Sequence, residues 1–315
     1  MRSSSLVGAN WVSTLLSALA TGALAQISPS PSSPSQSPTL VRLCTSSDIA
    51  NMNVLNCACP SDFPPLPMAC KANSKACTQT CKGGSVTSIA ELDVCGAGCV
   101  DANNECNGCY IWFSGLCNCL QQIQEQKQTS CISSSNLTPG QKTPPVWMIN
   151  AAHDLMTTTY LIPGILQLHQ IPDYWVGFNL AQNTVRKSGA NAGTLAINSV
   201  TSRTEEQIHI HLCSNGNQNV RNVLNGLDPA NYKALATVDL SKAMPGSAMQ
   251  CRIASQKDAN IDQGGDILSY LQKLDKDQGP DNCAQYHVGS GYMVDKNGFS
   301  WSCITTSGSA EKIFC

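Results

Sequence analysis

Charge is scarce in this chain: Asp, Glu, Lys and Arg make up 13% of its 315 residues, and the net charge is −2. From Cys44 to Cys131 four lysines stand against seven acidic residues, and from Val146 onward 12 basic residues stand against 14 acidic ones. Neither stretch has the basic footprint that neutralises nucleic-acid phosphates, and no polybasic cluster is present to hold an anionic bilayer surface. Long apolar runs are missing too. The one candidate, from Val12 to Leu24, is interrupted by Ser, Thr and Gly and falls well short of the roughly 20 residues that span a hydrocarbon core. Histidine is limited to His153, His169, His209, His211 and His287, so imidazole chemistry is confined to the part of the chain after Val146. Disorder of the whole chain is excluded by its 42% hydrophobic content.

Cysteine is what the chain has in excess. Of 18 cysteines, 13 fall between Cys44 and Cys131, and the other five are Cys213, Cys251, Cys283, Cys303 and Cys315. The N-terminus supplies a reason. Arg2, the apolar run and Ala23-Leu24-Ala25 before Gln26 make residues 1–25 a cleavable secretory signal peptide, so the mature chain is expected outside the cell or in the lumen of the secretory pathway, where disulfides persist. Residues 26–43 are a Ser/Pro-rich linker that has nothing to bury. Residues 44–131 then form a disulfide module, poor in large apolar side chains and dependent on crosslinks typically worth about 2–4 kcal/mol each. Pairs such as Cys77-x3-Cys81 and Cys106-x2-Cys109 would suggest zinc in a cytosolic protein. Here the leader and the missing partner histidines favour disulfides, and no metal is expected. Both cysteine counts, 13 and five, are odd. Complete pairing therefore needs a bridge between the two regions, or else each keeps a free thiol. A linker over 132–145 carries the sequon Asn136-Leu137-Thr138, a glycan acceptor.

Residues 146–315 have the composition of a conventional globular domain. Strands are expected at Thr159–Pro163, Gly193–Asn198, Gln207–Cys213, Tyr286–Val294 and Phe299–Thr305. The last two are joined by Asp295-Lys296-Asn297-Gly298, whose Asn-Gly favours a hairpin turn. Helices are expected at Tyr174–Lys187, with Trp175, Phe178 and Val185 among its apolar positions, and at Asn217–Leu227 and Asp266–Leu274, with Gly226 and Gly279 as stops. Helices mixed with antiparallel strands give an α+β fold.

The segment most informative about chemistry is Gln207-Ile208-His209-Ile210-His211-Leu212-Cys213. In a strand, Ile208, Ile210 and Leu212 face a core, and Gln207, His209, His211 and Cys213 share the other face. The two imidazoles then stand about 7 Å apart along the strand. That arrangement suits two ligands of one metal, a nucleophile beside its partner, or an acid/base pair. Burying adjacent imidazoles costs solvation, which argues against a merely decorative role. Cys213 is expected in a disulfide.

Leu195-Ala196-Ile197-Asn198-Ser199, followed by Arg203, Gln207 and His209-Ile210-His211-Leu212-Cys213, resembles the signature of the CDP-diacylglycerol pyrophosphatases, a branch of the histidine-triad (HIT) superfamily. Weaker similarity lies in Tyr160-Leu161-Ile162-Pro163 with Ile171-Pro172 and Trp175, and in the segment from His287 through Gly289 to Phe299. The resemblance covers Val146 to Thr305 and leaves the cysteine-rich module unmatched. It implies a HIT-like antiparallel sheet, no cofactor, and hydrolysis of CDP-diacylglycerol or a related nucleotide diphosphate to CMP and phosphatidate through a histidine nucleophile, with peripheral membrane contact for a lipid substrate. Cys213 stands where a third histidine would complete the triad, a departure those pyrophosphatases share. HIT hydrolases carry an amide 13 residues before the nucleophile, and Asn198 stands 13 before His211. His211 is therefore expected as nucleophile with His209 beside it. The other register starts at Gln207 and makes His209 the nucleophile. Arg203, Asn198 and Gln207 are the expected phosphate-binding groups. Two alternatives are a secreted hydrolase of soluble nucleotide conjugates and a non-catalytic cysteine-rich binding protein with a His-x-His metal site.

Overall fold

The computed structural model describes residues 42–44, 46–59, 107–135, 146–151, 154–160, 162, 164–187, 193–200, 202, 207–241, 243–244, 247–279, 283–307 and 309–315. The expected signal peptide, almost all of the Ser/Pro linker, residues 60–106 of the cysteine-rich module, the sequon at Asn136 and His153 lie outside this set.

In chain order the elements are α1 (Ser46–Ala50), α2 (Asn107–Gln124), β1 (Cys131–Ser133), β2 (Trp147–Asn150), β3 (Leu155–Thr158), α3 (Tyr174–Lys187), β4 (Thr194–Ile197), β5 (His209–Cys213), α4 (Gln218–Asn225), β6 (Ala236–Asp239), β7 (Ala248–Ile253), α5 (Gln263–Gln278), β8 (Gly289–Val294), β9 (Ser300–Thr305) and α6 (Ala310–Phe314). The strands form one antiparallel sheet in the order β1-β2-β3-β5-β4-β8-β9-β7-β6. The fold is α+β.

Period-two alternation sorts the sheet's side chains onto two faces. On one face Leu195, Ile197, Ile208, Ile210, Leu212, Tyr292 and Ile304 pack against Phe178 of α3 and Ile267 and Leu271 of α5. On the other, Ala196, Met293, Trp301 and Cys303 meet Val220 and Leu224 of α4 and Ile313 and Phe314 of α6. The pairing registers run His211 to Ala196 to Gly291 to Cys303, so His211 belongs to the α4/α6 face. Pairing of Met148 with Thr157, and of Thr157 with His209, extends that face to β2, where Val146 and Met148 pack with Ile49, Leu116 and Leu120 of α1 and α2.

The helices begin and end where local chemistry dictates. Asn217 caps α4 by accepting from the amides of Asn219 and Val220, and Asp262 caps α5 by accepting from that of Gly265. Gly279 ends α5 at φ +88°, which its missing Cβ permits. Helix α3 has the expected bounds, and Phe178 and Val185 are buried, but Trp175 is 54% exposed. It falls some 200° around the helix from the buried Gly177. The expected strand at Thr159–Pro163 is displaced: the strand is Leu155–Thr158, and the chain then turns toward a 3-10 segment at Ile165–Gln170, with the Ile162 amide bonded to the Tyr160 carbonyl. In the β8–β9 hairpin Asp295 accepts from the amides of Asn297 and Phe299 and from the Trp301 indole, and Gly298 takes φ +87°.

Five disulfides fix the described residues: Cys44–Cys57, Cys59–Cys117, Cys119–Cys131, Cys213–Cys315 and Cys251–Cys303. The cysteine-rich stretch therefore joins the domain directly, with β1 hydrogen-bonded to β2 and α2 bridged to β1. Four of the five downstream cysteines pair with one another. The parity question now rests on Cys283 and on module cysteines outside the described residues.

Gly177 shows how close α3 approaches the sheet. A Cβ there would lie 2.2 Å from Cδ2 of the fully buried Trp147 ring. Gly177→Ala is expected to cost about 2 kcal/mol by overpacking, read as a lower urea midpoint with an unchanged slope. An unaltered midpoint would contradict this packing.

Candidate functional site

β5 is held at its start by β3. Thr157 Oγ1 donates to the Ile208 carbonyl at 2.6 Å, and Gln207 Nε2 donates to the carbonyls of Thr158 and Tyr160 at 3.1 and 3.2 Å. Gln207, 1% exposed, thus spends its amide N–H groups on carbonyls at and just past the end of β3. It also contributes through the main chain. The Gln207 carbonyl lies 2.7 Å from Nδ1 of His209. A carbonyl oxygen only accepts, so Nδ1 carries the proton, and in the neutral ring the lone pair sits on Nε2.

His209 and His211 share a face as the alternation predicts, with ring centroids 5.0 Å apart in an edge-to-face arrangement. His209 is only 5% exposed and the His211 side chain 19%, the latter with Glu311 of α6 beside it. Asn198 stands just beyond β4, and the structure brings it to His211 as its spacing suggests: Nδ2 lies 3.4 Å from His211 Nε2. The amide orientation is fixed by its other end, where Oδ1 accepts from the Ser309 hydroxyl at 3.0 Å and the Glu311 backbone amide at 3.1 Å.

Glu311 is the residue that sequence reasoning missed. Its Oε2 lies 3.5 Å from His211 Nε2 and accepts from Asn198 Nδ2 at 3.3 Å. Nothing in Ser309-Ala310-Glu311-Lys312 marks a site residue. The available signal was covalent: Cys213, two residues past His211, is bonded to Cys315, four past Glu311. Burial pushes the His211 pKa below the ordinary imidazole value, and the Glu311 carboxylate opposes that shift.

Arg203 lies outside the described residues. His169 lies in the last turn of the Ile165–Gln170 segment with Nδ1 3.0 Å from the Leu166 carbonyl, and half-buried His287 ends the 3-10 segment Cys283–His287. Among the described residues, the only three metal-ligating side chains with donor atoms mutually within 4.8 Å are Cys44, Cys59 and Cys117, all of them in disulfides. The two histidines gather no third ligand within that distance among the described residues. No described helix is long and apolar enough to cross a membrane, and the disulfides fit an oxidising, secretory-type environment. No family model matches the chain, and no curated protein is significantly similar to it.

Proposed function

We propose that this is a secreted or lumenal hydrolase of phosphoanhydrides, acting on CDP-diacylglycerol or a related nucleotide diphosphate through a phosphohistidine. The observation that carries the reading is the edge-to-face pair of imidazoles, His209 buried with its tautomer set by a backbone carbonyl and His211 partly buried beside it. That carbonyl favours the register with His209 as nucleophile, because it leaves the basic electron pair on Nε2. His211, whose Nε2 faces a carboxylate and an amide, is better placed to carry a proton.

The reaction then runs in two displacements. His209 Nε2 attacks the nucleotidyl phosphorus, the N–P bond forms, the P–O bond to the second phosphate breaks, and that leaving group takes a proton from His211. Water next attacks the phosphorus and gives a proton back to His211, the N–P bond breaks and returns its electron pair to His209 Nε2, and CMP departs. Asn198 holds His211 in place, and Arg203 is the remaining candidate for binding the phosphoryl oxygens.

The test is to incubate the purified protein with CDP-diacylglycerol in detergent micelles and, separately, with soluble nucleotide diphosphate conjugates, both in EDTA. Release of CMP or another nucleoside monophosphate is expected to persist. A preference for soluble conjugates selects the second substrate class. No release from either, or release lost in EDTA and restored by zinc, would replace this reading with the cysteine-rich binding protein or a His-x-His metal site.

A further inference from the structure

Asn198 Nδ2 and Glu311 Oε2 both stand at Nε2 of His211, at 3.4 and 3.5 Å. They favour opposite protonation states. An amide N–H can donate to Nε2 only when that nitrogen carries a lone pair, whereas a carboxylate is attracted to it only when it carries a proton. Asn198 cannot turn over to resolve the conflict, because its oxygen is held by Ser309 and by the Glu311 backbone amide. Either state of His211 therefore finds a partner already in place, which is what a group that must both give and take a proton requires.

The covalent frame around this contact has matching dimensions. Cys213 lies two residues past His211 on the same face of β5, a step of about 6.6 Å. Cys315 lies four residues past Glu311, a rise of about 6 Å along a helix and back on the same side of it. Joining Cys213 to Cys315 therefore sets Glu311 opposite His211. Helix α6 spans only five residues, too short to persist alone. Its other anchors are the burial of Ala310, Ile313 and Phe314, the last over Gly291, two bonds from Asn217 to the Ile313 and Phe314 carbonyls, and the bonds that Asn198 Oδ1 accepts from the Ser309 hydroxyl and the Glu311 amide. Asn198 thus holds the end of the helix that carries Glu311, and Ile313, Phe314, Asn217 and the disulfide hold the other.

We propose that Glu311 is the positioning carboxylate of His211, held by Asn198 at one end of its helix, and that the Cys213–Cys315 disulfide is the latch at the other end. The proposal rests on the hydrolase reading for its purpose. A carboxylate beside an anionic substrate repels it unless it is matched by charge, and Glu311 with protonated His211 forms a pair of no net charge. The pair thus admits the substrate in the state in which His211 can protonate the leaving group. No other described carboxylate is placed to do this. From β5 itself His209 faces His211, and Cys213 does not titrate in its disulfide. Besides Glu311, α6 carries Lys312, which is exposed. Asp154, before β3, is exposed and meets β5 through its carbonyl, bonded to the Leu212 amide. From α4, Arg221 is turned to the Val294 carbonyl. β4 and β8 bring Ala196 and Gly291, and residues 115–124 of α2 bring no titrating group.

The test reads His211 directly, by following its imidazole resonances against pH in the full chain, with the signal assigned by its loss in His211→Ala. In Glu311→Gln the midpoint is expected to fall, and in Glu311→Asp to return toward the parent value. In Cys315→Ser it is expected to fall by less than in Glu311→Gln, because Asn198 still holds the Glu311 amide, with far-UV dichroism confirming the fold. The alkaline limb of the kcat/KM–pH profile, set by the general acid His211, should move down in parallel. An unchanged midpoint in Glu311→Gln overturns the pairing, and an unchanged midpoint in folded Cys315→Ser overturns the latch. A shifted midpoint in a protein that hydrolyses no phosphoanhydride leaves the pairing standing and overturns the hydrolase reading instead.

Discussion

His209→Ala is expected to lower the rate of phosphoanhydride hydrolysis by roughly 10⁴-fold and to abolish any trapped phosphoenzyme, because a methyl group leaves nothing to attack phosphorus. His211→Ala is expected to lose less, about 10²- to 10³-fold, the range of general acid/base catalysis. The leaving group separates the two roles. An ester of CMP with a good leaving group such as p-nitrophenolate needs no proton as its bond breaks, so the His211→Ala deficit should shrink sharply on that substrate. The His209→Ala deficit should persist on both. The opposite pattern, with the leaving-group effect in His209→Ala, would make His211 the nucleophile, the role that the resemblance to HIT hydrolases implies. Equal and small losses would show that neither imidazole reacts. Both residues lie on a strand whose core contacts come from Ile208, Ile210 and Leu212, so truncating either leaves the sheet's apolar face intact.

How far the sequence disclosed this site can be traced residue by residue. Alternation alone places His209 and His211 on one face, and the structure keeps them there. The offset between Asn198 and His211 also becomes a contact, because β4 and β5 pair antiparallel with Ala196 opposite His211. Gln207 shows the limit of the pattern. It obeys the alternation on paper, but it precedes the strand, and its amide is drawn to the Thr158 and Tyr160 carbonyls, which no local pattern could place nearby. Glu311 was beyond reach for a related reason. Its position depends on a disulfide spanning 102 residues, and connectivity cannot be deduced from cysteine positions alone.

The same division runs through the fold. Elements written in short-range chemistry were legible: α3 from its periodicity, the β8–β9 hairpin from Asn297-Gly298, and α4 from Asn217 to Gly226. The sheet order was not, since β5 lies between β3 and β4, and β9 between β8 and β7, through pairings set by packing across the whole domain. The boundary drawn at residues 132–145 followed composition, which changes there. Composition does not report that β1 pairs with β2, or that Val146 and Met148 share a core with Cys44, Cys57 and Leu120.

Arg252→Met is expected to destabilise the fold by about 3 kcal/mol at neutral pH, and by much less in acid. Arg252 on β7 donates from Nε to Asp266 Oδ1 at 2.7 Å and from a terminal nitrogen to Oδ2 at 3.0 Å, a two-point grip on a carboxylate that is 7% exposed near the start of α5. Burial raises the Asp266 pKa above the ordinary carboxylate value even with the guanidinium in place to oppose it. Methionine keeps most of the stem's bulk and removes the charge, leaving the carboxylate buried with its principal donor gone. The sign follows from linkage. A carboxyl group whose folded pKa lies above its unfolded value binds its proton more tightly in the folded state, so its contribution is fully present below the unfolded value and is lost as pH rises through the folded one. Removing Arg252 raises the folded value further and extends that loss to higher pH. Urea midpoints of Arg252→Met and the parent protein, compared at pH 4.5 and pH 8, should therefore differ far more at pH 8. A gap of the same size at both would mean that the substitution acts through lost packing around the Arg252 stem. In that case Asp266→Asn in the Arg252→Met background would restore nothing, whereas relief of a buried charge predicts that it recovers most of the lost stability at pH 8.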